Sequence, residues 1–395
     1  MLILWGLLGC GQPIDTGDDT GDTETGDPGR DYDGGAFLYG ADILEFDLTL
    51  DDAALAALAA EPREDVHATF SFEGASWDVG LHLKGSENGS FRDMSGKASF
   101  KIDFHQWNYD ADFHGVRRIT LNNMVQDGTM SHEHAAYWLF AAMGVPSPRH
   151  GYAAVTVNGE LFGLYGVVEA TDEQLVDRLF PDDDDGNLYE GGYGADLEEH
   201  RDALFDVKEQ KEAEPLASLS ALIAEVVAVA PDGVAALLDD RFDREALLDL
   251  WAVELVAADT DGYATAGNNF LLYHAPLADR WNMIPWGPDQ AFTETNFDIY
   301  AEESVWGGGI GRLAELCRAD AVCSAALDER IAAVLTVWEA GPFVAYVDAE
   351  TARIESACRA DPRSAWGDYG CRDAQAAMRE WIRMRPDQVR AQWAR

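Results

Sequence analysis

The sequence changes its pattern at about residue 170, and this change limits the folds that the chain can adopt. Residues 37–170 are rich in strand signals. In "ASFKIDF" (98–104), apolar and polar residues alternate strictly, as in a strand with one buried face. In "AAVTVNGELFGLYGVVE" (153–169), an Asn-Gly pair separates two apolar runs, which predicts a hairpin. "TMSHEHAAYWLFAAMG" (129–144) has helical spacing, so we expect mostly β structure with one helix.

Beyond residue 170, apolar residues recur with the period of helices. One pair of short strands, 268–275 and 280–286, interrupts this pattern. We predict an α+β chain with a bilobal, protein-kinase-like fold: a β-rich N-lobe (about 37–170) and a helical C-lobe (about 171–395) that carries a central β-hairpin. Protein kinases bind ATP in the cleft between two such lobes. The predicted helical segments are 214–230, 232–259, 312–341 and 373–393.

The net charge of the chain is −44, from 72 acidic and 28 basic residues. Such a field repels nucleic acid and anionic membrane surfaces, so we expect neither as a bulk partner. The chain has five lysines, and three of them, Lys84, Lys97 and Lys101, lie within eighteen residues. This cluster is either a chance grouping or a small phosphate-facing patch in an acidic protein.

The first ten residues, "MLILWGLLGC", are apolar and end in the pattern of a lipobox, in which Cys10 receives lipid after signal cleavage. The usual basic residues are missing, so either the start lies upstream or the segment is a short anchor. Residues 11–36 are rich in Asp, Thr and Gly, which predicts an acidic disordered tether ahead of a domain at 37–395. We expect an exported bacterial lipoprotein, in the periplasm or at the cell surface, that touches the membrane only through its lipid.

The other four cysteines all lie near the C-terminus. An even number of cysteines in an exported protein predicts two disulfides. The simplest arrangement pairs neighbours, Cys317 with Cys323 and Cys358 with Cys371. A zinc site is the weaker alternative, because the chain has no C-x-x-C spacing and no nearby His.

Four polar residues follow one another in the order that phosphoryl transfer requires. A phosphotransferase needs a lysine for the nucleotide phosphates, a carboxylate to orient the attacking hydroxyl, and an amide with a carboxylate for Mg²⁺. Lys101 lies in a predicted strand, and Asp261 comes just after a predicted helix. Asn269 begins one strand of the predicted hairpin, and Asp289 follows the other. Spacing alone is weak support, because any acidic protein offers Asp near Asn.

Two glutamates have both a functional and an ordinary interpretation. Glu133 lies on the predicted helix and either pairs with Lys101, as strand lysine and helix glutamate do in kinases, or belongs to a solvated helix face. Glu169 ends a strand at the place of a kinase hinge, where it either binds nucleotide or is an ordinary strand-end acid.

Several blocks between about 75 and 295 resemble the CotH kinase family, atypical kinase-like proteins named for a spore-coat protein. Their number and their order make the resemblance more specific than any single motif. The blocks are "LHLKGSENGSFRDMSGKASFKIDF", "RRITLNNMVQDGTMSHEHAAYWLFAAMGVPSPR", "VNGELFGLYGVVEATDEQLVDRLF", "GNLYEGGYGADL", and "DGYATAGNNFLLYH" with "IPWGPDQAF".

The resemblance implies a kinase-like fold and transfer of phosphate from ATP to Ser of proteins. We expect Ser or Thr as the acceptor and Mg²⁺ or Mn²⁺ as the cofactor. Asp261 in "DGY" matches the family's catalytic aspartate. Asn269 in "NNF" matches an asparagine that either binds metal or positions the loop, and Asp289 matches an aspartate at the metal-binding end of the family's Trp-Asp-x-Asp stretch. Lys101 matches the second lysine of "K-x-S-[FY]-K", a phosphate contact, and Lys84 stands where many members have Arg before Gly.

The chain departs from the family pattern at two positions. Gly287 replaces the first acid of the usual Trp-Asp-x-Asp stretch, and His132 stands where many members have Arg. From the resemblance as a whole we expect a monomeric kinase acting on surface or secreted proteins. The alternatives are an inactive kinase-like module that binds a partner or organises a surface structure, and a kinase fold that transfers another group.

Overall fold

The computed structural model describes residues 33–86 and 89–393. The predicted anchor 1–10, its Cys10 and the tether as far as residue 32 lie outside the described residues. A short helical segment, Asp33–Tyr39, precedes the first strand. The last four residues of the predicted tether therefore take part in this segment.

Seven strands of the N-terminal part close into a barrel, in the order β1-β2-β3-β4-β5-β7-β6. Buried side chains alternate along β1 and β2, and their inward faces form one apolar core with rings such as Phe46, Phe70 and Phe100. The strands are β1 (Ile43–Thr49), β2 (Val66–Phe72), β3 (Ala75–Lys84), β4 (Ser99–Asp103), β5 (Arg118–Asn122), β6 (His150–Val157) and β7 (Glu160–Glu169).

The closed barrel shows that the predicted bilobal, protein-kinase-like fold is wrong, although the α+β class is confirmed. β1 pairs antiparallel with β2 on one side and parallel with β6 on the other, with Leu44 opposite Ala153. This second pairing leaves the sheet without an open edge. Local alternation cannot reveal it, because it joins two segments that are far apart in the sequence.

The predicted hairpin between β6 and β7 is confirmed. Asn158 and Gly159 have φ values of 50° and 81°, the left-handed conformation that a tight two-residue turn requires. The Asn158 amide also exchanges hydrogen bonds with the backbone of Leu50, so the turn is attached to the strand beside it.

The C-terminal part consists of helices around a four-stranded sheet of order β11-β10-β8-β9. The predicted strand pair is present as β10 and β11, whereas β8 and β9 were not predicted. The strands are β8 (Leu188–Gly191), β9 (Phe205–Glu209), β10 (Phe270–Ala275) and β11 (Arg280–Pro285).

The helices bury a second apolar core around α6, in which every residue from Leu247 to Ala257 is buried. The helices are α1 (Asp52–Ala60), α2 (His132–Ala142), α3 (Glu173–Leu179), α4 (Pro215–Ala228), α5 (Val234–Arg241), α6 (Arg244–Ala257), α7 (Tyr263–Ala266), α8 (Arg312–Ala319), α9 (Ala321–Ala340), α10 (Phe343–Ala360), α11 (Gly367–Tyr369) and α12 (Gln375–Trp393). Within the described ranges no single helix is long and apolar enough to cross a membrane, and only the bent pair α9 and α10 reaches that length and composition jointly.

Both predicted disulfides are present, Cys317–Cys323 and Cys358–Cys371. The second closes a loop that contacts the barrel. In that loop, Asp361 forms a fully buried ion pair of 2.6 Å with Lys97. Because a buried charge needs a partner, this pair attaches the helical part firmly to the barrel.

Candidate functional site

A cavity of about 950 Å³ opens between the barrel and the helical part. We call it the cleft. Polar side chains from both parts line it, and they include six of the residues that the sequence nominated: Lys84, Lys101, Glu133, Asp261, Asn269 and Asp289.

Asp261 follows the C-terminus of α6, where Ala258 ends the helix in the left-handed conformation. The two oxygens of Asp261 accept hydrogen bonds from the amides of Asn268 (3.0 Å) and Asn269 (2.9 Å). Burial raises the pKa of Asp261, and these two hydrogen bonds oppose the shift. The carboxylate is thus held in one orientation and is a stronger base than an exposed aspartate.

Glu254 supports the loop of Asp261 from within α6, a role that the sequence pattern did not indicate. Its two carboxylate oxygens accept the backbone N–H groups of Tyr263 (3.0 Å) and Ala264 (2.6 Å). Burial raises the pKa of Glu254 to about 8. A glutamate in an apolar helix was the only signal that could have identified it.

Asp289 lies in the loop after β11 and is partly buried. Burial, and then the neighbouring carboxylates of Glu133 and Asp127, raise the pKa of Asp289 to about 8. The carbonyl of Asp289 lies 3.0 Å from Nδ1 of His132, the residue that departs from the family's arginine. The carboxyl groups of Asp289, Glu133 and Asp127 therefore lie close to one another, and this proximity favours the protonated form of Asp289.

Gly287 has a φ of 56°, the left-handed region that favours glycine. Its carbonyl accepts a hydrogen bond of 3.3 Å from the Asn269 amide, and its N–H donates to the hydroxyl of Tyr137 at 3.2 Å. The glycine thus makes the turn that connects Asn269 to the Asp289 loop.

Lys84 and Glu133 are joined through an amide, and not through a direct ion pair. The Lys84 ammonium donates to Oδ1 of Asn122, and Nδ2 of Asn122 donates to Oε2 of Glu133 at 2.8 Å. Burial lowers the pKa of Lys84 and raises that of Glu133. The structure therefore brings Glu133 to Lys84, whereas the sequence suggested Lys101. No sequence signal pointed to Asn122, because it lies on β5, apart from both Lys84 on β3 and Glu133 on α2.

The N-terminus of α2 is fixed by Asp127, another residue that sequence reasoning missed. Oδ2 of this buried carboxylate accepts the backbone N–H groups of Ser131 and His132, both at 2.7 Å. These bonds satisfy donors that a helix N-terminus leaves without partners. They also set the position of Glu133, which follows directly.

Lys101 lies in the middle of β4, as predicted, and faces the cleft. Among the described residues it has no hydrogen-bonding or ion-pair partner. Burial, and then the neighbouring charge of Lys208, lower the pKa of Lys101 to about 8. Lys208 belongs to the unpredicted strand β9 and pairs with Glu190 at 2.5 Å. Three of the five lysines of the chain thus line the cleft.

Glu169 does not line the cleft. It ends β7 and forms ion pairs with Arg149 (2.8 Å) and Arg178 (2.5 Å) on another face of the molecule. The structure thus gives Glu169 two arginine partners and keeps it away from the other predicted nucleotide-binding residues.

The oxygen donors in the cleft fit a hard divalent cation. Asp261, Asn269 and Asp289 supply carboxylate and amide oxygens, the ligands that Mg²⁺ prefers. Oε1 of Glu133 is buried and has no hydrogen-bond partner in the described part of the chain. Within that part, no group of three or more His, Cys, Asp or Glu could hold a metal ion alone. Because Mg²⁺ takes one or two carboxylates and completes its shell with water and phosphate oxygens, the donor set fits Mg²⁺ bound with a nucleotide.

The fold and the site define an α+β protein whose cleft contains lysines together with carboxylates. The family model described as "CotH kinase protein" matches residues 81–389, so the chain belongs to the CotH family and is a kinase-like protein. Family membership indicates nucleotide and metal use in general. The match extends well beyond the blocks that carried the resemblance and includes the C-terminal helices.

A curated relative is similar over part of its length. "Inner spore coat protein H" of Bacillus subtilis (strain 168) is 25% identical over 236 residues. The alignment covers 57% of this chain and 61% of that protein. The relative's name and the two disulfides are compatible with an exported or surface protein.

Proposed function

We propose that the protein transfers the γ-phosphoryl group of ATP to a Ser or Thr hydroxyl of a surface or secreted protein, with Mg²⁺ or Mn²⁺. The observation that carries this proposal is the convergence of Asp261, Asn269 and Asp289 with Lys84 and Lys101 in one cavity. We also propose that the protein is exported, lipid-anchored through Cys10 and monomeric.

In this proposal Asp261 binds the acceptor hydroxyl and takes its proton. The amides of Asn268 and Asn269 hold the carboxylate in place, so little reorganisation is needed when the acceptor arrives. The raised pKa brings Asp261 closer to the operating pH, which favours general base catalysis.

Asn269 and Asp289 would hold the cation, and Asp289 loses its proton when it does so. The cation, when bound, neutralises phosphate charge. Lys84 and Lys101 bind phosphate oxygens, and Asn122 keeps Lys84 close to Glu133. Since Lys101 has no protein partner among the described residues, its ammonium is available to a ligand without the loss of an existing ion pair.

One observation favours a second candidate, a binding module without catalysis. The Trp-Gly-Pro-Asp stretch directly after β11 carries one acid, Asp289, because Gly287 occupies the place of the other. Such a loop has fewer ligands for a metal. Against this alternative, Gly287 makes a turn that holds Asn269, so its presence has a structural reason within an active cleft.

Transfer of label from ATP tests the proposal. The purified protein is incubated with γ-labelled ATP, Mg²⁺ or Mn²⁺ and casein as a general acceptor, and labelling of both proteins is measured. We expect labelling by the wild type, and loss of about 1,000-fold or more in Asp261→Asn and Asp289→Asn. Asp232→Asn, at an exposed site outside the cleft, is the matched control and should label normally. A silent wild type that binds ATP would favour the binding module.

A further inference from the structure

A second cavity, of about 580 Å³, lies beside α2, between this helix, the loop 145–149 and α3. Within the described ranges, none of the residues that line it also lines the cleft. Its volume falls in the range of sites for small organic molecules. The cavity is therefore a separate site, and the proposed phosphoryl transfer does not use it.

Two arginines line this cavity around a single carboxylate. Arg149 donates to Oε1 of Glu169 from Nε (3.1 Å) and Nη2 (2.8 Å), and Arg178 donates from Nε at 2.7 Å. Two guanidinium groups with one carboxylate leave one positive charge, and the nearby carboxylate of Asp172 has its own partner, Arg118, at 3.5 Å. In the described part of the chain, neither Nη1 has an acceptor, and each arginine side chain is 31% exposed. The cavity thus offers donors and charge in a protein that is otherwise strongly acidic.

The other walls of the cavity are aromatic. The rings of Trp138 and Tyr346 stack with their centroids 5.1 Å apart, and the ring of Tyr39 lies 4.4 Å from the Arg149 guanidinium. His134 adds no positive charge near neutral pH, because burial lowers its pKa. The walls therefore fit a flat apolar group placed next to the arginines.

We propose that this cavity binds a small aromatic carboxylate. The carboxylate would take the free Nη1 groups of Arg149 and Arg178, and its ring would lie against Trp138 and Tyr346. A single net positive charge is balanced by a monoanion, whereas a dianionic phosphate would remain partly unneutralised in a half-buried site. Guanidinium groups bind carboxylates through charge-assisted hydrogen bonds, which are stronger than neutral ones.

Calorimetric titration of the full-length protein with 2-naphthoate tests this proposal, with the uncharged 2-naphthamide as the matched ligand. We expect naphthoate to bind at least about tenfold more tightly than naphthamide, because hydrogen bonds to charged groups are the stronger ones. Ala141→Trp fills the cavity from the exposed end of α2 and should abolish binding. Ala142→Trp is the control, since this neighbour is exposed but does not line the cavity.

Thermal unfolding of both tryptophan variants checks that they fold. Equal affinity for naphthoate and naphthamide would overturn the proposal. So would naphthoate binding that is the same in a folded Ala141→Trp variant as in the wild type, or an absence of naphthoate binding to the wild type. None of these outcomes depends on whether the cleft transfers phosphate.

Discussion

The carboxylate of Asp261 accepts a hydrogen bond of 2.9 Å from the side-chain amide of Asn269. The same amide also donates to the Gly287 carbonyl, so Asn269 connects the loop after α6 to the loop after β11. The side chain of Asn269 thus fixes the position of Asp261 relative to the loop that carries Asp289.

Replacing Asn269 with Ala should therefore reduce phosphoryl transfer by about 10- to 100-fold, the usual effect of losing a group that orients a ligand. Asn269 has a φ of 49°, so the substitution also adds backbone strain. Asn158→Ala, at a φ of 50° in the β6–β7 turn, controls for that strain. Steady-state labelling rates of both variants measure the effect. If Asn269→Ala labelled as fast as Asn158→Ala, Asn269 would not position the site.

Two adjacent asparagines hold different groups: Asn122 bonds to charged side chains of the cleft, whereas Asn123 bonds to backbone carbonyls. Asn122 connects Lys84 to Glu133, and Asn122→Leu should raise the KM for ATP by about tenfold, since each hydrogen bond to a charged group contributes roughly 1.5–3 kcal/mol. Buried Asn123 bonds to the carbonyls of Ser90 and Lys97. Asn123→Leu should instead lower the free energy of unfolding by about 2–4 kcal/mol. Urea denaturation and ATP titration measure the two effects, and an unchanged KM in Asn122→Leu would refute the bridge.

Lys97, just before β4, and Lys101, in the middle of β4, should change the stability of the protein in opposite directions when each is replaced by Met. Lys101→Met removes a buried ammonium whose pKa is lowered from 10.5 to about 8, so it should stabilise the protein by roughly 3 kcal/mol and weaken ATP binding. Lys97→Met leaves Asp361 buried and unpaired, and should destabilise the protein by about 3–5 kcal/mol. A destabilised Lys101→Met variant would contradict the interpretation of Lys101 as a buried charge without a protein partner among the described residues.

The same lysine predicts the direction of a pH dependence. The folded-state pKa of Lys101, about 8, lies below its unfolded value of 10.5. Between these two values the unfolded state binds more protons, so this residue makes the free energy of unfolding rise with pH. Urea denaturation at pH 8 and pH 9.5 should show a smaller rise in Lys101→Met than in the wild type. An identical rise in both would contradict the shift.

The two disulfides should differ in their effect on stability, because they close loops of different length. Cys358–Cys371 spans 13 residues and Cys317–Cys323 spans 6. Loop-closure entropy predicts losses of about 3 and about 2 kcal/mol for the respective double Cys→Ala variants. Removal of Cys358–Cys371 should also weaken the ion pair of Asp361 with Lys97, because Asp361 lies in the loop that this disulfide closes. Chemical denaturation of the two variants ranks them, and a reversed order would count against this account.

Local patterns predicted those features that depend on neighbouring residues. The Asn158-Gly159 turn, the strand pair β10–β11 and the disulfides between nearby cysteines belong to this group. The closure of the barrel was not predicted, because the parallel pairing of β1 with β6 joins distant segments of similar alternation.

The same limit applies to the cleft. Sequence order and the family resemblance selected Asp261, Asn269 and Asp289, which lie together. The connection from Lys84 through Asn122 to Glu133 depends on the lateral order of strands, and Lys208 depends on a strand with only five residues. Glu169 was selected by analogy with a kinase hinge, and its arginine partners come from the α2–β6 loop and α3.

Metal-dependent binding of ATP would show that the cleft holds a nucleotide together with a cation. Calorimetric titration of the wild type should show ATP binding at least about tenfold tighter with Mg²⁺ than with EDTA, because the carboxylates and phosphates share the cation. Asp289→Ala should lose this difference, and the exposed Asp232→Ala should keep it. Equal affinity of the wild type with and without Mg²⁺, or an undiminished Mg²⁺ effect in Asp289→Ala, would contradict the account.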